Sequence, residues 1–172
     1  MERIASFSVN HEKMSRGIFV SRVDTIGENN ITTFDVRLKL PNREPVLNIA
    51  EMHTMEHLGA TYLRNHVKWN DEVIYWGPMG CRTGFYVILK GKLTSSEIID
   101  LMKDTFQFMS EFQGDIPGAT AIECGNYLDQ NLPMANYEAK KYLQETLMNL
   151  KEENLNYLNS CKYKFWDRKI EV

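Results

Sequence analysis

Apolar and polar residues alternate along two neighbouring stretches near the start of the chain, GIFVSRVDTIG and NNITTFDVRLKLPN, and the Gly/Asn-rich turn between them predicts a pair of strands. In the second, Phe34, Val36, Leu38 and Leu40 alternate with Thr33, Asp35, Arg37 and Lys39, so one face is expected in the core and the other is polar. The period then becomes helical. After a turn at Pro45, Asn48 and Glu51 form a capping-box-like pair, and Ile49, Met52, Met55, Leu58, Tyr62 and Leu63 recur at helical spacing. Gly59 interrupts this helix at a cost of about 1 kcal/mol relative to alanine, and a close neighbour is the expected reason.

Two further strands are predicted in EVIYWGPMGCRTGFYVILKGK, joined by a Gly/Pro-punctuated connection. Both alternating sets of FYVILK are apolar, Phe85, Val87 and Leu89 against Tyr86 and Ile88, which implies cover on both faces of the sheet; a second subunit could supply one of them. Thr94 with Glu97 then opens an amphipathic helix whose apolar side is Ile98, Leu101, Met102, Thr105, Phe106 and Met109. GDIPGATAIECGNY reads as a turn and a short apolar piece ending at Cys124 and Gly125, and a charged, leucine-punctuated helix is expected from about Asn136 to Asn159. The terminal CKYKFWDRKIEV is ambiguous in pattern.

Composition narrows the class. A chain of 172 residues that is 43% hydrophobic can bury one core, and one domain spanning 1–172 is expected. The net charge of -3, with lysines and arginines scattered among acids, points away from nucleic acid. The start, MERIASFSVNHEKMSRG, carries charges where a secretory signal would have its apolar core, and no run approaches membrane-spanning length. Three cysteines, an odd number, argue for a reducing compartment, with the cytoplasm as the expectation.

Chemistry concentrates in HTMEH. Two of the four histidines stand here four positions apart, and a helix of 100° per residue puts His53, Glu56 and His57 on one face. Two imidazoles one turn apart can grip a divalent cation, with the carboxylate beside them moving protons; the alternative is a solvated helix face. The order H-x-x-E-H is that of the inverzincins. A third ligand could be a downstream acid, as in a peptidase, or a thiolate, for which Cys124 before Gly125 is the better candidate unless it is simply a small buried hydrophobe. Cys81, in GPMGCRTG beside Arg82, is either a proton donor and acceptor with an acidified thiol or a turn cysteine without a role. His11 and Arg37 are individually weak signals, and Cys161 reads as incidental.

Taken together, SFSVNH, FDVRL, HTMEHLGA, GPMGCRTG, TSSEIIDLM and IPGATAIECGN, in this order and spacing, resemble the S-ribosylhomocysteine lyases of the LuxS type. The resemblance implies an α+β fold with an antiparallel sheet flanked by helices, and a cytoplasmic homodimer with active sites at the subunit interface. It assigns His53, His57 and Cys124 as ligands of one divalent metal per subunit, Fe2+ or Zn2+ with Co2+ possible, and Glu56 and Cys81 as the acid/base pair. Ser6, His11 and Arg37 match substrate-binding positions, part of them contributed by the neighbouring chain. The implied substrate is S-ribosylhomocysteine, cleaved to homocysteine and 4,5-dihydroxy-2,3-pentanedione, the autoinducer-2 precursor. Two departures stand out: Gly59, where the family more often has a larger apolar residue, and Gly77, where a polar one commonly precedes Pro-Met-Gly-Cys. Residues from about 155 to 172 run past the usual family end, as an extra helix or tail packed by Tyr163, Phe165 and Trp166. A zinc peptidase and a non-catalytic zinc module closed by a fourth protein ligand are the competing readings.

Overall fold

The computed structural model describes residues 10–157 and the backbone of 168–170. The alternating N-terminal stretches form β1 (Gly17–Ile26) and β2 (Asn29–Arg37), and the helical stretch around HTMEH forms α1 (Ile49–Arg64). Then follow β3 (Val73–Pro78), β4 (Gly84–Lys90), α2 (Ile99–Glu111), α3 (Leu132–Glu145) and the short β5 (Arg168–Ile170). The sheet order is β3-β4-β2-β1-β5, antiparallel throughout except for β5, which runs parallel to β1. This is the expected α+β architecture.

The register explains the core. Val36 lies opposite Phe85 and Phe34 opposite Val87, so one sheet face is a continuous apolar surface. Met55 and Leu58 of α1, Met102, Phe106 and Met109 of α2, and Ala135, Ala139 and Tyr142 of α3 pack in the same core. The opposite face carries the row Phe19, Asp35 and Tyr86. There Tyr86 and Ile88 are only half-buried, so the helices of one chain cover just one side of FYVILK.

One expectation needs correction, and two environments that the pattern left open are now defined. The polar side of β2 is not solvated: Asp35 and Arg37 are each 3% exposed, and Lys39, just beyond the strand, is 5% exposed. Lys39 is paired with Glu138 of α3 at 2.6 Å, and Asp35 with Arg37, so each buried charge has a partner. The last helix begins and ends earlier than its pattern suggests. Asn131 caps it by accepting from the Met134 N–H, whereas Asn136, inside the helix, donates its side-chain N–H to the Met109 and Phe112 carbonyls at the end of α2. It stops at Glu145, where the Asn149 side chain donates to the Gln144 carbonyl and short 3-10 turns follow. The apolar piece before Cys124 is not buried either, Ile122 being 98% exposed. Cys161, Tyr163, Phe165 and Trp166 lie outside the described residues, as does Ser6.

Gly59 has the close neighbour its helix position demanded. A Cβ there would stand 2.4 Å from Trp76 Nε1 and 2.6 Å from the terminal methyl of Met109. Trp76 uses that space to stack on Phe85, with ring centroids 4.7 Å apart, and to donate its indole N–H to the Met55 carbonyl at 3.3 Å. Among the described residues, no helix is long and apolar enough to cross a membrane.

Candidate metal centre

The helix that presents HTMEH is set by its start: the Glu51 carboxylate accepts the Asn48 backbone N–H at 2.7 Å, closing the capping box. One turn further on, His53 and His57 point their Nε2 atoms at each other, 3.0 Å apart. Cys124 arrives from the loop between α2 and α3, with Sγ 3.4 Å from His53 Nε2. The three candidate ligand atoms all lie within 4.8 Å of one another.

The same loop orients both rings. His57 donates its Nδ1–H to the Pro117 carbonyl at 2.7 Å, and His53 its own to the Asp129 carbonyl at 2.9 Å. Thr54 donates its hydroxyl to Gln130 Oε1 at 2.7 Å. The Asn131 N–H is donated to Thr54 Oγ1 at 2.9 Å, so the end of the loop is tied to α1 one residue from His53. Gly118 lies against the His57 ring with φ of +70°; a side chain there would be both strained and 3.2 Å from Nδ1.

These bonds decide what the cluster can hold. With both Nδ1 protons committed to carbonyls, each neutral ring turns a bare Nε2 lone pair inward, next to a sulfur. Three electron pairs facing one another repel unless a cation lies between them. Two imidazole nitrogens and a thiolate, with carbonyls fixing the tautomers, are the donor set and the outer support of a zinc-type centre. Among the described residues no fourth His, Cys, Asp or Glu joins the group, so a closed structural module is disfavoured.

Glu56 lines a cleft of about 340 Å³ with His57, Thr61, Arg64, Tyr75 and Gly118. Gly77 makes room for one wall of it, since a Cβ there would fall 2.0 Å from the Tyr75 hydroxyl. Cys81 does not line this cleft. It belongs to a second cluster, across the sheet face opposite the helices: Sγ lies 3.8 Å from Arg37 Nη1 and 3.0 Å from Thr83 Oγ1. The cation beside Cys81 is thus Arg37 rather than its sequence neighbour Arg82. Arg37 in turn grips Asp35 with two N–H donors. His11 lies in a 3-10 turn, His11–Lys13. The expected site residues therefore fall into two groups within one chain: His53, His57, Cys124 and Glu56, and separately Arg37 with Cys81.

Sequence reasoning missed Thr54, Pro117, Asp129 and Gln130, which orient the ligands, and Asp35 and Thr83, which hold Arg37. Backbone carbonyls carry no side-chain signature. Asp35 offered one, however: a carboxylate two residues from an arginine on the same strand face.

A small α+β chain whose first long helix and a distant loop cysteine build an open His₂Cys group has, by fold and site, the donors to hold a metal ion. The match to known sequences is specific: the model of the S-ribosylhomocysteinase (LuxS) family covers residues 4–153. The chain is 55% identical over 159 residues to an S-ribosylhomocysteine lyase of Clostridium beijerinckii, covering 92% of this chain and 100% of that protein. A lyase of the same name from Porphyromonas gingivalis is 55% identical over 157 residues, covering 91% and 99%, and one from Phocaeicola vulgatus is 52% identical over 157 residues, covering 91% and 98%. The chain belongs to the S-ribosylhomocysteinase (LuxS) family.

Proposed function

We propose that this protein is a cytoplasmic, homodimeric carbon–sulfur lyase that cleaves S-ribosylhomocysteine to homocysteine and 4,5-dihydroxy-2,3-pentanedione. Family membership and the names of its relatives support the activity. The observation that carries the reading over a peptidase is the third donor: a thiol, Cys124 Sγ, rather than an acid stands 3.4 Å from His53 Nε2.

A divalent ion, Fe2+, Zn2+ or Co2+, held by His53, His57 and Cys124 would supply Lewis-acid polarisation of the sugar carbonyl. The proton work falls to Glu56 and Cys81, which lie in separate clusters of one chain and so meet on one substrate only where two chains come together. Glu56, in the cleft beside His57, takes a proton from the carbon next to the carbonyl, and Cys81 returns one to the neighbouring position, so the carbonyl migrates along the ribose chain without net oxidation. Once the carbonyl lies two carbons from the thioether-bearing carbon, loss of the proton between them expels the sulfur as homocysteine thiolate, which is then protonated. Ser6, His11 and Arg37 bind the substrate, part of this set coming from the second chain. The incompletely covered Tyr86 and Ile88 face favours such a partner. The product enters autoinducer-2 formation.

The test is direct. Anaerobically purified protein incubated with S-ribosylhomocysteine is expected to release free homocysteine thiol in proportion to substrate consumed. Absence of thiol release from fully metal-loaded protein refutes the assignment.

A further inference from the structure

Tyr157 follows the residues matched by the family model, which end at 153, and the proposed reaction leaves it without a role. It is nevertheless wired into the cluster that holds Cys81. Its hydroxyl donates to Asp35 Oδ2 at 3.1 Å, and its ring stacks on Phe19 with centroids 4.7 Å apart and planes 10° from parallel. The segment is tied down just before it: the Asn154 side chain donates to the Arg16 carbonyl at 2.8 Å. Asp35 Oδ2 also accepts from Arg37 Nη2 at 2.5 Å, Arg37 Nε reaches Oδ1 at 3.0 Å, and the remaining nitrogen, Nη1, is left to face Thr83 and Cys81.

We propose that Tyr157 is a positioning residue for the reaction, acting through Asp35 and Arg37 to set the charge and orientation presented to the Cys81 sulfur. The proposal rests on the reading of Cys81 as an acid/base residue. A carboxylate gripping a guanidinium neutralises part of its charge, and a phenol donating to that carboxylate takes up part of the negative density. More of the Arg37 field then reaches Sγ. Tyr157 is suited to the part because burial first, and the Asp35 charge next, push its phenol far above its ordinary value, so it is a donor throughout the working pH range. The titratable groups that act on one another here are Asp35, Arg37, Cys81, Tyr86 and Tyr157, from β2, β4, the loop before β4 and the C-terminal segment, with Tyr142 of α3 also feeling Asp35 and Arg37.

The test uses Tyr157→Phe, which keeps the ring on Phe19 and removes only the hydroxyl. Metal-loaded full-length protein is alkylated with iodoacetamide across a pH series, and the rate at the Cys81-bearing peptide is followed by mass spectrometry. On the rising limb of the rate–pH profile the variant is expected to react about two- to threefold more slowly at a given pH, because less positive field remains at the sulfur. In an Asp35→Asn background the same change is expected to have no further effect. A Tyr157→Phe profile that superimposes on the parent, or an equal shift in both backgrounds, overturns the proposal, whatever happens to thermal stability. Retained turnover in Cys81→Ala would instead refute the acid/base reading and leave the alkylation comparison standing.

Discussion

Gly59→Ala sets helix propensity against packing, and the structure decides the sign. In an exposed helix the exchange is expected to stabilise by about 1 kcal/mol. Here the new methyl would sit 2.4 Å from Trp76 Nε1 and 2.6 Å from the end of Met109. The methionine can swing away cheaply, but Trp76 is 2% exposed, stacked on Phe85 and edge-on to Phe106. Shifting a ring so enclosed costs about 1–3 kcal/mol in overpacking. It also strains the bond from Trp76 Nε1 to the Met55 carbonyl, worth about 1 kcal/mol. The net expectation is a destabilisation of about 1–3 kcal/mol, read as a melting temperature lower by about 2–4 °C for each kcal/mol in a chain of this size. Calorimetry of Gly59→Ala, Trp76→Phe and the double variant supplies the check, because the smaller ring should relieve the clash and make the double variant more stable than the two single losses added together. A Gly59→Ala protein more stable than the parent, or strict additivity, would refute the argument that Trp76 holds this position open.

Removing the sulfur in Cys124→Ala is expected to leave too few donors for stable binding, so metal analysis should find the purified variant largely metal-free; full occupancy would point to an acidic third ligand. In Cys81→Ala and Glu56→Gln, turnover should fall by about 10² to 10⁴-fold while metal content is unchanged, since neither residue is among the three ligands. Glu44 is held below its ordinary carboxyl value of 4.5: burial opposes this, but the hydrogen bond from Arg16 prevails, helped by the Leu40 N–H. Because its folded value is depressed, the stability it contributes is present above the ordinary value and is lost as pH falls through the folded one. Glu44→Gln should therefore melt below the parent at neutral pH, with the difference closing as pH falls below the ordinary carboxyl value of 4.5; a difference that persists in strong acid would refute the linkage.

The local half of this protein was written in its pattern. The alternation of β2, the Asn48/Glu51 and Thr94/Glu97 capping pairs, and the His53–Glu56–His57 face of α1 all depend on residues within a turn or two of one another, where helix and strand periods alone set which side chains point together. Asn136 shows the limit: the same residue type that starts a helix in isolation instead closes the end of α2, because a neighbouring element presented unpaired carbonyls. The metal centre itself joins residues 71 positions apart, His53 and Cys124, and is completed by carbonyls whose positions depend on the loop path. The partners of the polar side of β2 likewise came only with folding, when Glu138 and Tyr157, both distant in sequence, came to meet Lys39 and Asp35. Periodicity determines which face of an element is polar; only the tertiary structure decides whether water or another buried charge satisfies it, because that depends on segments that meet through space.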